Sequence, residues 1–283
     1  MSPLALGLVL VAAVAHASWN LLSKQAAKLD GLVFVWMVGA AGTVLWAPVA
    51  IGFMVVTGTY PGWPDLAVIG VSCLLHLAYF VTLQRGYSRG DLSVVYPVAR
   101  GTGPMLASAV AVLFLHERPG LLGGLGIALV GVGVFLMSGG GRADRPGLFY
   151  GLLTGLFIAG YTIWDAQVVG AFAVAPVLLS FFGELGRTLA MAPAMIGRRA
   201  LLLPAWREHR GKILGSAVLV PLSYLLVLFA FTMAPVSVVA PAREVSVLIA
   251  VVLGGRLLAE GDLRRRLLAA GVILGGVVAI ALS

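Results

Sequence analysis

Ten apolar runs divide this chain, and short breaks that hold turn or charged residues separate them. A helix needs about 20 mostly apolar residues to cross the hydrocarbon core of a bilayer. The runs cover 3–22, 32–56, 66–84, 92–115, 120–138, 147–165, 174–196, 212–233, 236–255 and 266–282. This pattern predicts an all-α polytopic membrane protein with ten transmembrane helices. The longest break, 197–211, is too short for a domain, so we expect function to lie among the helices.

Motifs of the first half of the chain recur in the same order in the second half. Trp19 in the first run matches Trp164 in the sixth, 145 residues later, and Arg100 in the fourth run resembles Arg243 in the ninth. Each repeat would hold five helices, and this odd number makes the second copy enter the membrane with opposite polarity. We therefore predict two inverted five-helix repeats, which are typical of transporters with a midplane site. The predicted repeats are residues 1–140 and 145–283.

Composition supports a membrane protein and excludes other classes. Hydrophobic residues make up 60% of the chain and charged residues only 11%, whereas soluble proteins carry about 25% charge. The single cysteine, Cys73, excludes an intrachain disulfide and a cysteine metal cluster. The four histidines are scattered and the serines lack an obvious His-Asp partner set, so we expect no enzyme, no metal and no cofactor.

The net charge of +8 is distributed unevenly between the breaks. The odd-numbered breaks, counted with the adjoining Lys212 and Arg266, hold 15 of the 19 Lys and Arg residues, and the even-numbered breaks hold only Arg118. The positive-inside rule then places the odd-numbered breaks in the cytoplasm and both termini outside. Cations that flank membrane spans in this way predict no nucleic-acid partner.

Arg100 and Arg243 are the sharpest candidates among the polar residues within the runs. Ionisable residues at membrane depth are costly and mark functional sites. Each arginine closely follows a proline, which kinks a helix, and a guanidinium can bind a carboxylate or phosphoryl group with two hydrogen bonds. Two such arginines would favour an anionic or zwitterionic substrate. The alternative is internal neutralisation, with Glu244 pairing elsewhere, for example with Arg100.

A second candidate group lies on the first and sixth helices. His16 and Asn20 share one helix face, and Tyr161 and Asp165 share the equivalent face of the other repeat. These residues line a cavity or hydrogen-bond between helices, and Asp165 could instead be a solvated helix end. The remaining candidate substrate contacts are Trp19 and Trp164, which could also be packing residues, and His76, Tyr79 and Tyr96.

Proton coupling has three candidates, Glu184, Glu244 and His16. A buried carboxylate gains proton affinity, and histidine titrates near neutral pH. The alternative for Glu184 is a local ion pair with Arg187, three residues further along the same helix. Glycines in the fifth and tenth runs predict close helix packing within each repeat, or dimerisation.

The sequence resembles the EamA-like transporters of the drug/metabolite transporter (DMT) superfamily over its whole length. The resemblance rests on Trp19 and Trp164, on residues 86–97, and on residues 115–119 followed by a glycine-rich span. It implies helices around a central cavity and export of amino acids or other small metabolites. Family members usually have both termini in the cytoplasm, whereas the charges here predict the reverse, and Arg100 and Arg243 are unusual for the family.

The function predicted from these features is secondary transport in the cell membrane. We expect an exporter of small anionic or zwitterionic metabolites, such as amino acids, that works by alternating access at a central cavity. The alternatives are efflux of cationic compounds or drugs, and a non-transporting scaffold or accessory protein. The expected partners are the lipid bilayer, a small-molecule substrate and, as a candidate coupling ion, protons. The protein would be a monomer or a homodimer.

Overall fold

The described part of the chain forms a bundle of α-helices. The computed structural model describes residues 1–283 except 27, 28, 91, 138–144, 247, 248 and 250–262, and within helices the side chains of 24, 92–94, 96, 97, 137, 263–267 and 270 lie outside the description. The helices are α1 (Pro3–Gln25), α2 (Gly31–Thr57), α3 (Trp63–Arg89), α4 (Leu92–Phe114), α5 (Gly120–Met137), α6 (Arg145–Gly170), α7 (Pro176–Ile196), α8 (Arg199–Phe231), α9 (Val236–Ala242) and α10 (Leu263–Ala281).

The chain is an all-helical, multi-pass membrane protein. Among the described residues, five helices are long and apolar enough to cross a bilayer by themselves: α1, α2, α3, α6 and α8. Helices α4, α5 and α10 contain shorter apolar segments. Helix α9 is seven residues long and ends at Ala242. Most of the predicted run beyond Ser246 lies outside the described residues.

Most of the break at 197–211 is helical. Helix α8 begins at Arg199 and ends at Phe231, and non-helical backbone angles at His209 form a kink between its two parts. The segment before the kink is rich in Ala, Leu and Arg, which are among the strongest helix formers. Helix α6 likewise runs on to Gly170, five residues past its predicted end.

Acidic side chains satisfy exposed backbone N–H groups at three helix starts. Asp30 accepts hydrogen bonds from the N–H groups of Leu32 and Val33 at the start of α2, and Asp65 accepts one from Gly62 before α3. Glu117 reaches from the end of α4 to the start of α9, where it accepts from Val236 at 2.9 Å and from Ser237 at 2.8 Å. The first N–H groups of a helix lack partners within it, so each contact fixes a helix end.

Helix packing pairs the two halves of the chain. α4 packs along α6, α5 along α10, α1 along α8, α3 along α6 and α2 along α7 and α8. At the α5–α10 contact a Cβ on Gly126 would lie 2.6 Å from the Gly276 carbonyl oxygen, so only glycine permits this approach. Gly126 and Gly276 therefore pack between the halves. Gly131 of α5 instead faces Met105 of α4 within the first repeat, which is the close packing within a repeat that the sequence predicted. Gly124 and Gly271 have no neighbours in reach of a Cβ.

The contacts at the helix ends sort the breaks into two sets. Arg198 pairs with Asp30 at 3.1 Å, and Lys212 donates to the Gln25 carbonyl at 2.7 Å. These contacts join the first and seventh breaks at one end of the bundle. The Glu117 contact with α9 joins the fourth and eighth breaks at the other end. These two odd-numbered breaks and these two even-numbered breaks thus lie at opposite ends of the bundle.

Candidate functional site

The ionisable side chains within the helices converge on one region of the bundle, which we call the central chamber. Its side chains come from α1, α3, α4, α6, α7, α8 and the turn after α9, and they are His16, His76, Arg100, Asp165, Glu184, Arg187, Tyr224, Arg243 and Glu244. Three arginines and three carboxylates meet here. How these charges are paired decides what the chamber can bind.

Asp165 is the most enclosed of these charges. Its side chain lies on α6 and is 1% exposed, because the helix continues past it, so a solvated helix end is excluded. Its Oδ1 accepts a hydrogen bond from the Ser72 hydroxyl at 2.5 Å, and its Oδ2 accepts one from the Tyr224 hydroxyl at 2.7 Å. A buried carboxylate needs such donors to be tolerated.

His76 lies beside this carboxylate and faces the chamber. Its Nε2 is 3.8 Å from Asp165 Oδ2, and its side chain is 13% exposed. The ring stacks on Tyr161 with a centroid separation of 4.1 Å and meets the Tyr224 ring edge-on at 5.6 Å. Tyr79 packs edge-on against Tyr161 at 5.6 Å. Three aromatic rings therefore hold the imidazole in one orientation.

The predicted ion pair between Glu184 and Arg187 is present on α7. Arg187 Nη2 lies 2.6 Å from Glu184 Oε2, and the guanidinium also lies over the Tyr224 ring at 5.9 Å from its centroid. In the described part of the chain, Nη1 of Arg187 is buried without a hydrogen-bond partner.

The second ion pair joins the two halves of the chain. Arg100 Nη2 on α4 lies 3.0 Å from Glu244 Oε1, and it also donates to the Ser246 hydroxyl at 3.4 Å. Internal neutralisation, the alternative that the sequence left open, is therefore the arrangement for Arg100. Glu244 is 2% exposed, and its Oε2 has no hydrogen-bond partner among the described residues.

Arg243 differs from the other two arginines. It is half-buried and lies about 10 Å along the helix axis from the first residue of α9. Its guanidinium acts electrostatically on His16, His76, Asp165 and Glu244. Among the residues that the structure describes, Arg243 forms no side-chain hydrogen bond or ion pair.

His16 lies on the α1 side of the chamber within electrostatic range of Arg100 and Arg243. Trp19 donates its indole N–H to His16 Nδ1 at 3.2 Å, and the Asn20 amide donates to the His16 carbonyl at 2.8 Å. Trp19 and Asn20 are half-buried. On α1 these two side chains therefore bond to their own helix, and Trp19 positions the imidazole.

One predicted contact, Trp164, is not brought into the chamber, and another, Tyr96, is not described. The Trp164 indole donates to the Val68 carbonyl at 2.9 Å and packs near Phe172, towards the end of the bundle where α3 begins. The side chain of Tyr96 lies outside the described residues.

Sequence reasoning missed Ser72, Tyr224 and Ser246. Tyr224 had a signal, since it follows Tyr79 by the same 145 residues that separate Trp19 from Trp164. Ser72 and Ser246 had none, because a serine in an apolar helix usually bonds its own backbone. No group of acidic, histidine or cysteine side chains able to hold a metal ion occurs within the described ranges.

Comparisons with known proteins agree with this architecture. Residues 3–139 match the sequence model of the EamA-like transporter family, which is part of the DMT superfamily. A crystal structure described only as that of a protein superposes with a TM-score of 0.78 at 14% identity, covering 98% of this chain and 97% of that one. This likeness shows the fold alone. No curated protein matches the sequence.

Proposed function

We propose that this protein, whose residues 3–139 match the EamA-like transporter family, is a secondary transporter of small anionic or zwitterionic metabolites. The substrate would bind in the central chamber and move by alternating access. The match to the family supports a membrane transporter and weighs against an enzyme. Export of amino acids or related metabolites is what the family resemblance implies, and the direction of transport stays a prediction.

The observation that carries the proposal is the pairing of charges in the chamber. Glu244 neutralises Arg100 and Glu184 neutralises Arg187. Arg243 is the cation that remains without a contacting partner among the described residues. A guanidinium in a region of low dielectric favours a carboxylate or phosphoryl group, which it can hold with two hydrogen bonds.

Packing supports the predicted rocking of two inverted repeats. If the two halves are related by symmetry, each helix of the first half corresponds to the helix five positions later in the second. The α1–α8 contact then corresponds to the α6–α3 contact, and the α2–α8 contact corresponds to the α7–α3 contact. All four contacts exist. The same correspondence leaves the α2–α7, α4–α9 and α5–α10 contacts in place, and these exist as well. We therefore retain residues 1–140 and 145–283 as the proposed repeats of an alternating-access carrier.

The scaffold alternative fits the chamber less well. Residues that serve only to pack helices together have no need of exposed charge. Arg243 and His16 are half-buried, and the Arg100 side chain is 14% exposed, so the chamber keeps polar surface accessible. The cationic-substrate alternative would need the substrate to approach Arg243, which among the three arginines of the chamber is the one without a contacting acid in the described chain.

Counterflow in proteoliposomes tests the proposal. Vesicles preloaded separately with mixed amino acids, small carboxylates, phosphonates or organic cations would be diluted into tracer of the same class, and protein-free vesicles are the control. We expect exchange for one anionic or zwitterionic class. Exchange of organic cations alone would establish the cationic alternative, and no exchange of any class by folded protein would favour the scaffold.

A further inference from the structure

The hydrogen bonds around His76 fix which ring nitrogen carries a proton. Nδ1 lies 2.9 Å from the backbone carbonyl of Ser72, and a carbonyl oxygen only accepts, so Nδ1 is the protonated nitrogen. The Ser72 hydroxyl gives its own hydrogen to Asp165. In a neutral ring Nε2 then carries a lone pair, and this nitrogen faces Asp165 Oδ2 at 3.8 Å.

Two acceptors that face each other at membrane depth are unfavourable unless a proton lies between them. Asp165 is almost completely enclosed, whereas the His76 side chain is 13% exposed. Of the two groups, His76 is therefore the one that a proton can reach first. It then forms either an imidazolium–carboxylate pair or a carboxylic acid that donates to Nε2.

We propose that Asp165 and His76 hold one exchangeable proton between them and that this proton binds together with the anionic group of the substrate. The second part of this inference rests on the transporter function proposed above. The sequence favoured Glu184, Glu244 and His16 as proton sites, whereas this proposal assigns the proton to a carboxylate–imidazole pair on α6 and α3.

The remaining charges around the pair determine the sign of the coupling. α7 contributes Arg187, already paired with Glu184, α4 contributes Arg100, already paired with Glu244, α8 contributes the Tyr224 hydroxyl, and α3 contributes the Cys73 thiol. Arg187 and, to a smaller extent, Arg243 are the cations that offset a negative Asp165. An anionic group on Arg243 reduces this offset, so Asp165 and His76 then bind a proton more strongly.

Coupling between two sites is reciprocal, so the proton also strengthens binding of the anion. The carrier would move its substrate and a proton in the same direction. Export would then proceed only while the outward substrate gradient exceeds the inward proton gradient.

The proton site can be tested without any substrate. We would titrate the full-length protein in lipid from acid to alkaline pH and follow the carboxyl signal by infrared difference spectroscopy. Asp165→Asn should lose one titrating carboxyl signal, and Asp65→Asn, an exposed cap at the start of α3, should keep it.

Tyr224→Phe, which retains the ring but removes a donor to the carboxylate, should move the titration midpoint to higher pH, and His76→Gln should also displace it. Identical titrations in wild type and Asp165→Asn, or an unmoved midpoint in Tyr224→Phe, would overturn the site.

The coupling is tested with whichever substrate class exchanges in counterflow. When a substrate of that class is added outside empty vesicles, we expect net proton uptake together with the substrate, and loss of this proton movement in Asp165→Asn. Net substrate uptake without proton movement would overturn the coupling. A normal titration without exchange of any class would instead refute the proposed transport function and leave the proton site in place.

Discussion

Arg100 and Glu244 lie in the candidate site, but their contact with each other stabilises the fold. The guanidinium and the carboxylate are 3.0 Å apart, with only 14% and 3% of their side chains exposed. Removing one partner leaves an uncompensated buried charge, which costs about 3–5 kcal/mol. The Arg100–Glu244 and Arg187–Glu184 pairs thus neutralise charges that would otherwise be costly to bury between the helices.

The first prediction concerns this pair. Arg100→Gln should lower the thermal unfolding temperature in detergent strongly, because Glu244 loses its counter-charge. The double variant with Glu244→Gln should recover most of that stability. Arg243→Gln, at the arginine without a contacting acid, should unfold near the wild-type temperature. Equal destabilisation by the two single arginine variants would contradict the pairing.

At the residue scale, the sequence predicted which ionisable residues lie in the chamber better than it predicted which residues they contact. The ionisable residues within the runs identified nearly all the charges of the chamber, since their cost at membrane depth singles them out. The i,i+3 spacing gave the Glu184–Arg187 pair directly. The symmetry between Arg100 and Arg243 did not predict that only one would be neutralised, because the partner of Arg100 comes from the other half of the chain.

Glu117 shows at the element scale how a distant side chain starts a helix. Its carboxylate accepts from two N–H groups of α9, 119 and 120 residues away. The structure thus assigns Glu117 a specific partner in the other half of the chain. The loss of a helix cap costs about 0.5–2 kcal/mol.

The second prediction is a packing test on α5. Gly126→Val should destabilise the fold by about 1–3 kcal/mol, because the new side chain would overlap the α10 backbone at Gly276. Gly124→Val, two positions away with no atoms within reach, is the matched control and should unfold like wild type. Equal unfolding temperatures for both variants would contradict the α5–α10 contact.

The third prediction is a pH dependence at the α2 cap. Although partial burial opposes it, the hydrogen bonds from Arg198, Val33 and Leu32 lower the pKa of Asp30 below its ordinary value. Asp30 therefore stabilises the folded state above its unfolded pKa, and this contribution is lost as the pH falls through the lower folded pKa. The unfolding temperatures of wild type and Asp30→Asn should differ at neutral pH and converge in acid. A constant difference would contradict the cap.

The element ends were the least predictable feature of the helices. Hydropathy defines where apolar residues stop, but α8 begins well before its apolar run and α6 extends beyond its own. A helix ends where its backbone groups find other partners, and hydropathy carries no information on that. The existence and type of the helices followed from apolar runs long enough to span a bilayer.

The two ends of the bundle give the molecule its proposed orientation. The charge bias between breaks predicts that the end with Arg198 and Lys212 faces the cytoplasm. The contacts place the first and seventh breaks at the same end of the bundle. The membrane side of that end stays a prediction. Long-range charge patterning is readable from the sequence because it does not depend on packing.

The fourth prediction tests that orientation. The only cysteine, Cys73, is buried, so an introduced cysteine would be labelled selectively. Tyr60→Cys in the second break should react with a membrane-impermeant maleimide in intact cells. Glu208→Cys, which is 72% exposed at the other end, should react only after permeabilisation. The opposite pattern would place the termini in the cytoplasm.

The central claim is that Arg243 receives the anionic group of a transported metabolite. The most direct measurement is counterflow of the exchanging class by Arg243→Gln, with Arg89→Gln at the end of α3 as a matched loss of one surface arginine. We expect Arg243→Gln to abolish exchange while folding normally, and Arg89→Gln to exchange like wild type. Unchanged exchange in folded Arg243→Gln would contradict the account.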